Sequence, residues 1–488
     1  MFLIKIIRKP WIILALAALW GAAGHAQNTA GIKGLITLKE KHPVTIQLVE
    51  MQSQGTTDAP LAPTIEVSET MTFANEFELK QSGFFYLITQ VGEQGNKYIS
   101  RHICYMRPGH TFEIRYSETD EHTFAPETEH MTDRENKLLI ENDLHFYRLS
   151  RTAWENPPKD VESCQTILKQ WESYSLENLK KYEGHDPEVI EFAKVQAYER
   201  YLSLLYQLPL INEQANKVKM NVPETYYALP FDVSDFFDHE KAMLFPSSVS
   251  HLRKFLNTAN GFLPNARLIL PQIEQNIERL KKSVSNRTMV DKTIESMMEA
   301  YILSYKMSET YEQDKAFFRK LAANLSSEEQ RDRLCTRFGY LKYTALGASF
   351  PDAALKNVQG ETVTLEQFKG HYVYIDLWAS WCIPCRKEIS FLQKLEKAYE
   401  GKNIAFVSIS LDKKSSTWKS TLEALQMHGH QLFGGESAFA EQLNVTSIPH
   451  FLLYNPDGKL RMYRAPAPSS EQIRPLLDKL LSQQSIDK

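Results

Sequence analysis

The chain has 488 residues, 43% of them hydrophobic, and a formal charge of −4 at neutral pH. That length supports more than one core, and the balanced charge excludes a dominant interaction with nucleic acid or an anionic membrane surface. Five cysteines are too few for an exported disulfide scaffold, so stability does not rest on disulfides.

In chain order, the first element is a targeting segment. Lys5, Arg8 and Lys9 precede an apolar stretch from Trp11 to Ala23, and Gly24-His25-Ala26 places small residues at a cleavage site. Residues 1–26 are expected to be removed, leaving Gln27 first and the protein in the periplasm. An uncleaved anchor is the weaker reading, because the stretch falls short of the roughly 20 residues that span a bilayer.

Residues 27–126 read as strands. Gly34–Leu38, Val44–Val49, Phe77–Leu79, Phe84–Ile88 and Thr111–Tyr116 are alternating, β-branched or aromatic, with turn signals at Gln81-Ser82-Gly83 and Arg107-Pro108-Gly109 between them. They predict a small antiparallel β-sandwich. Residues 127–342 change to helical spacing over Glu135–Arg151, Val161–Lys181, Pro187–Gln207, Ala266–Lys282, Asp291–Met307 and Gln313–Leu325, a central all-α region without a metal or nucleotide motif.

Residues 343–488 read as α/β. Strands Tyr372–Trp378, Ile404–Ile409 and His450–Tyr454 alternate with helices Ile383–Tyr399, Thr417–Gln426 and Ala438–Leu443. An Asn455-Pro456-Asp457-Gly458 turn then leads to a returning strand, Lys459–Arg464, and a last helix, Glu471–Leu481. Parallel strands joined by a helix and followed by a hairpin form a thioredoxin-like layer.

Cys382-Ile383-Pro384-Cys385 stands where the first of these strands meets its helix. Exchange between thiols and disulfides needs a thiolate, and the free N–H groups at a helix start favour one at Cys382. Pro384 sits in the first turn, where its missing N–H costs nothing. Cys385 is three residues on and on the same side, within bonding reach of Cys382. Cys382 is therefore assigned as the exposed nucleophile and Cys385 as the buried resolving thiol. Asp376 shares a strand face with Tyr374 and Trp378, so burial should raise its pKa; pairing with a buried lysine is the alternative. Cys104, Cys164 and Cys335 are expected to be inert buried thiols.

The run Trp378-Ala379-Ser380-Trp381-Cys382-Ile383-Pro384-Cys385-Arg386, with Asp376, Glu388 and the later Thr446-Ser447-Ile448-Pro449, resembles the TlpA/ResA-type exported thiol–disulfide oxidoreductases of the thioredoxin superfamily. Phe350-Pro351-Asp352, Gly360, Val363 and Leu365 match that family's entry segment. The preceding regions resemble, more weakly, accessory regions of Bacteroidetes-type proteins. The resemblance implies protein-disulfide reduction without cofactor or metal, disulfide-containing protein substrates and a membrane thiol electron donor. It also implies that Asp376 takes the proton of Cys385, a task Glu388 could share unless it is a solvated helix acid. Pro449 would be cis, and Trp381, Ile383, Pro384, Ile448 and Pro449 would bind substrate. Trp378 would shield the dithiol with Trp381, or else be core. Ser390 stands where the family usually has a helix proline.

Three other readings compete. A zinc site needs about four ligands, and His428 and His430 are the nearest additions to the two cysteines. A peroxiredoxin-like peroxidase would resemble this fold but carries a threonine three residues before the reactive cysteine, where this chain has Ala379. A partner-binding or chaperone-like protein would make the redox domain secondary.

Overall fold

The alternating runs within residues 29–126 form two four-stranded sheets. The structure, a computed structural model, describes residues 29–483 apart from 41, 52–63, 67–69, 93–97, 119–123 and 436; the expected leader, 1–26, lies outside the described residues. The strands are β1 (Thr29–Thr37), β2 (Pro43–Glu50), β3 (Thr64–Glu66), β4 (Thr70–Glu78), β5 (Gly83–Val91), β6 (Tyr98–Met106), β7 (Thr111–Glu118) and β8 (Phe124–Pro126). One sheet has the order β4-β1-β7-β8, the other β3-β2-β5-β6. Burial alternates along β2 and β7, so Ile32, Val44, Leu48, Leu87, Phe112 and Ile114 meet in one core between the sheets. This is the expected sandwich with one difference: β1 and β7 pair in parallel. Alternation fixes which face a strand buries, not the direction of its neighbour.

The described chain divides into two compact units: residues up to Asn265 with Arg279–Val290, and Ala266–Glu278 with Asp291 onward. The helical region comprises α1 (Arg134–Glu155), α2 (Val161–Lys181), α3 (Pro187–Asn216), α4 (Val233–Phe237), α5 (Ser248–Ala259), α6 (Leu270–Ser283), α7 (Arg287–Ser304), α8 (Tyr311–Ala322) and α9 (Glu328–Thr344). The first three start at acidic caps: Asp133, Asp160 and Asp186 each accept a backbone N–H of the first turn. Helix α3 runs through buried Pro209 to Asn216, nine residues past the end its periodicity suggested. Helices α4, α5 and α9 were not anticipated. Cys104 and Cys164 are buried free thiols, and burial pushes both pKa values up, Cys164 to about 11. Cys335, on α9, is only half-buried, a correction to its expected burial.

The C-terminal region holds a seven-stranded sheet. Its strands are β9 (Leu355–Asn357), β10 (Thr362–Val363), β11 (Tyr372–Trp378), β12 (Ile404–Ser410), β13 (His430–Phe433), β14 (His450–Tyr454) and β15 (Leu460–Met462), ordered β10-β9-β13-β12-β11-β14-β15. Helices α10 (Ile383–Ala398), α11 (Ser415–Ala424), α12 (Phe439–Gln442) and α13 (Ile473–Gln483) complete it. β11, β12 and β13 run parallel, whereas β14 runs antiparallel to β11. β11 is buried on both faces, which explains its continuous apolar run. Val373, Ile375 and Leu377 pack into one core with Phe439 and Leu443. Tyr372 and Tyr374 pack on the other face against Leu392 and Leu395 of α10 and Leu477 of α13. The thioredoxin-like layer is thus present, with β13, β9 and β10 added.

Candidate active site

Cys382 and Cys385 form a disulfide at the start of α10, with Cα atoms 5.3 Å apart. Cys382 is the helix N-cap: its Sγ accepts the Cys385 N–H at 3.2 Å, and Pro384 lies in the first turn. The sulfur expected to become a thiolate therefore already receives one of the helix's free donors. Helix α10 continues unbroken through exposed Ser390. The sulfurs pack with Trp378, Ala379, Ile389, Trp418, Met427 and Phe433.

The expectation of an exposed Cys382 needs correction for this oxidised state, since Cys382 is 4% and Cys385 1% exposed. Its neighbours form the exposed surface instead. Trp381 and Ile383 are each 68% exposed, and Pro384 is also exposed. Trp378, by contrast, is wholly buried and belongs to the core. The Ile448–Pro449 peptide is cis. Ile448 is half-buried and packs against the cluster that holds the two cysteines, so the two distant sequence segments meet.

Asp376 lies between Tyr374 and Trp378 on the face of β11 that α10 covers. It is 3% exposed, and its Oδ1 has no hydrogen-bond partner among the described residues. Burial, then the carboxylates of Glu388 and Glu396, push its pKa up to about 7 against a smaller opposing effect of the Ser408 hydroxyl. Its cross-strand neighbours are Ser408 and Phe451, not a lysine. Glu388 is not a free helix acid: its two oxygens accept the Ser469 N–H at 2.9 Å and the Ser469 hydroxyl at 2.7 Å.

Two residues of the site escaped the sequence reading. Glu396 is one; burial pushes its carboxyl up to about 7. It lies two turns beyond Glu388, and only the fold reveals that it influences Asp376. The other is Asp412, 2% exposed and just past the end of β12. Its oxygens accept the Ser380 N–H at 3.0 Å, the Ser380 hydroxyl at 2.7 Å and the Ser410 hydroxyl at 2.8 Å. Asp412 thereby fixes the loop that carries Trp381 and Cys382. Gly435 closes over it, where an added Cβ would lie 1.8 Å from the Asp412 carbonyl oxygen. The spacing Ser410-Leu411-Asp412 was the available signal, because residues two apart at a strand end share a face. Asp412→Ala should cost about 3 kcal/mol in urea unfolding, since three donors lose their acceptor. Asp412→Asn should cost less, and an unchanged midpoint for the alanine variant would contradict the anchoring role.

Residues 346–463 match the family model described as the AhpC/TSA family. The ResA thiol–disulfide oxidoreductase of Bacillus thuringiensis is 22% identical over 156 residues, which cover 30% of this chain and 90% of that protein. The ResA of Bacillus subtilis is 21% identical, over 26% of this chain and 76% of that protein. Among solved structures, the thioredoxin domain of a Bacteroides vulgatus thiol–disulfide oxidoreductase is 26% identical, covering 28% of this chain and 99% of that one, with a TM-score of 0.26. A thiol–disulfide oxidoreductase from Bacteroides fragilis is 29% identical over 27% of this chain and 99% of that one, with a TM-score of 0.25. The C-terminal third of the chain is an AhpC/TSA thioredoxin-like domain, homologous to the ResA thiol–disulfide oxidoreductases.

Proposed function

We propose that this protein is an exported thiol–disulfide oxidoreductase that reduces protein disulfides through Cys382 and Cys385. The observation that carries the reading is the capped sulfur: Cys382 Sγ at the N-terminus of α10, accepting an amide N–H and bonded to Cys385. In the reduced protein, the Cys382 thiolate attacks one sulfur of a target disulfide. The target's S–S bond breaks, its other sulfur leaves and takes a proton, and a mixed disulfide forms. Asp376 accepts the Cys385 proton, and the Cys385 thiolate attacks Cys382 Sγ. The second target thiol is released, and two electrons have passed from the dithiol to the target. The Cys382–Cys385 disulfide of the structure is the end of that cycle.

Trp381, Ile383 and Pro384 offer an apolar contact around the sulfurs, and Ile448 with cis Pro449 offers backbone to an extended target segment. Regeneration of the dithiol calls for an upstream thiol donor at the membrane, a role supported by family resemblance. Export to the periplasm rests on the leader at 1–26. Among the described residues, no helix is long and apolar enough to cross a membrane.

Ala379 is buried and supplies no hydroxyl three residues before Cys382, which favours disulfide over peroxide as the substrate. Peroxide turnover matching the rate of disulfide reduction would reverse that preference. The reading is tested by trapping. The Cys385→Ser protein, reduced and exposed to periplasmic extract, should accumulate mixed disulfides at Cys382 that mass spectrometry resolves. A reactive Cys382 that captures nothing would remove the reductase reading.

A further inference from the structure

We propose that Tyr463 is a positioning residue for the protein-disulfide reduction proposed above: it clamps both ends of the loop at residues 444–449, so that Ile448 stands ready to pair with an extended target segment. The loop joins α12 to β14. Its start is tied to α12, where the Val445 N–H donates to the Ala440 carbonyl at 3.0 Å. From Thr446 to Ile448, no backbone N–H or C=O makes a hydrogen bond among the described residues. Thr446 and Ser447 are exposed. The free groups of Ile448 are what an extended target segment would use. A stretch without internal hydrogen bonds does not hold its own shape, however, so the fixing must come from outside it.

Tyr463 reaches the loop at its entry and its exit. Its hydroxyl donates to the Leu443 carbonyl and lies 3.3 Å from the Asn444 carbonyl, at the entry. Its own carbonyl accepts from His450 Nε2 at 2.7 Å, at the exit. A carbonyl oxygen only accepts, so that nitrogen carries the hydrogen. His450 is 6% exposed, and its ring meets the Tyr463 ring edge-on with centroids 4.8 Å apart. The sheet in turn fixes Tyr463. It follows β15, whose Met462 stands in register with Leu453 of β14, and two residues on, the Ala465 N–H donates to the Phe451 carbonyl at 2.9 Å. The Tyr463 side chain packs on the same core as Val445 and Ile448, and Ile448 also packs against the cluster that holds the two cysteines. The place of Ile448 beside the dithiol is therefore set from the sheet through Tyr463. A loop already held in its binding form spares a target the entropy of ordering it. That saving reaches only targets with polypeptide to pair with the loop backbone.

The test compares two disulfides on the full-length protein. Insulin, reduced in turnover with dithiothreitol, presents polypeptide around its disulfides. Dithiobis(nitrobenzoate), reduced in a single turnover by the reduced protein, presents none. Tyr463→Phe keeps the ring and removes the hydroxyl. It should lower kcat/KM for insulin by about tenfold, while the rate with the small disulfide stays within about twofold. His450→Ala should act alike. His450→Gln, whose amide can still donate to the Tyr463 carbonyl, should recover most of the loss. A merely structural role would slow both disulfides together, and that result would overturn the proposal. So would an unchanged ratio of the two rates, or a glutamine variant no better than the alanine one. An unaltered protein that reduces the small disulfide but not insulin would remove the reductase reading and the clamp with it. Insulin reduction that Tyr463→Phe leaves intact would remove the clamp alone.

Discussion

Replacing Cys382 with serine should abolish disulfide reduction. The hydroxyl that replaces the thiol is not ionised near neutral pH, so neither the helix N-terminus nor the Cys385 N–H has an anion to stabilise. A loss of at least roughly a thousandfold in insulin-disulfide reduction is expected, or about 4 kcal/mol of transition-state stabilisation. Serine is close in size and can still cap α10, so the fold should persist and the unfolding midpoint should barely move. Cys385→Ser should differ: the first attack survives, and the mixed disulfide accumulates instead of resolving. Residual turnover by the Cys382→Ser protein within tenfold of the unaltered enzyme would mean that another thiol carries the reaction. Cys104 and Cys164, buried and with raised pKa values, are poorly suited to that role.

The second large effect belongs to Asp376. Its carboxyl is raised from 3.8 to about 7 in the folded, oxidised protein. Between those values the folded state holds a proton that the unfolded state has released, so stability falls as pH rises through this window and then levels off. Asp376→Asn removes the penalty. Urea unfolding should show the variant stabilised by about 2 kcal/mol at a pH of about 5 and about 4 kcal/mol at a pH of about 8. A gain that is the same at both values would exclude Asp376 as the titrating group. The same substitution should slow release of the mixed disulfide by roughly a hundredfold and remove the rise of that step with pH, since an amide accepts no proton from Cys385. Stability and turnover should therefore move in opposite directions, a signature that a purely structural aspartate would not give. Because Glu388 and Glu396 help to hold the carboxyl neutral, Glu396→Gln should lower the inflection without abolishing it.

Most of the dithiol's setting was legible in the amino-acid sequence. The strand Tyr372–Trp378 and the helix start at Ile383 appear where the pattern put them, because both signals are local: a β-rich apolar run, then a capping residue and a first-turn proline. The face shared by Tyr374, Asp376 and Trp378 followed from alternation alone. β6 was missed because its inward positions include Ser100 and His102, which do not read as apolar. β13 was missed because His430-Gln431-Leu432-Phe433 is too short to show a period. α9 has only a weak periodic pattern and is stabilised by packing, whereas α5 has a clear amphipathic face that was passed over.

The amino-acid order alone determined the chemistry: two thiols three residues apart at a helix start, an acid on the adjoining strand, and a proline later in the chain. Each depends on covalent spacing and on the period of a single element, which a linear string carries. The tertiary structure decided the rest. It brought Ile448 to the cluster around the cysteines, buried Trp378 while leaving Trp381 in solvent, and joined Asp412 to Ser380. It also aligned β1 with β7 in parallel and placed β6 at the edge of its sheet. These are outcomes of contacts between segments far apart in the chain, and their energies depend on which surfaces leave water together. Local patterning cannot encode that choice.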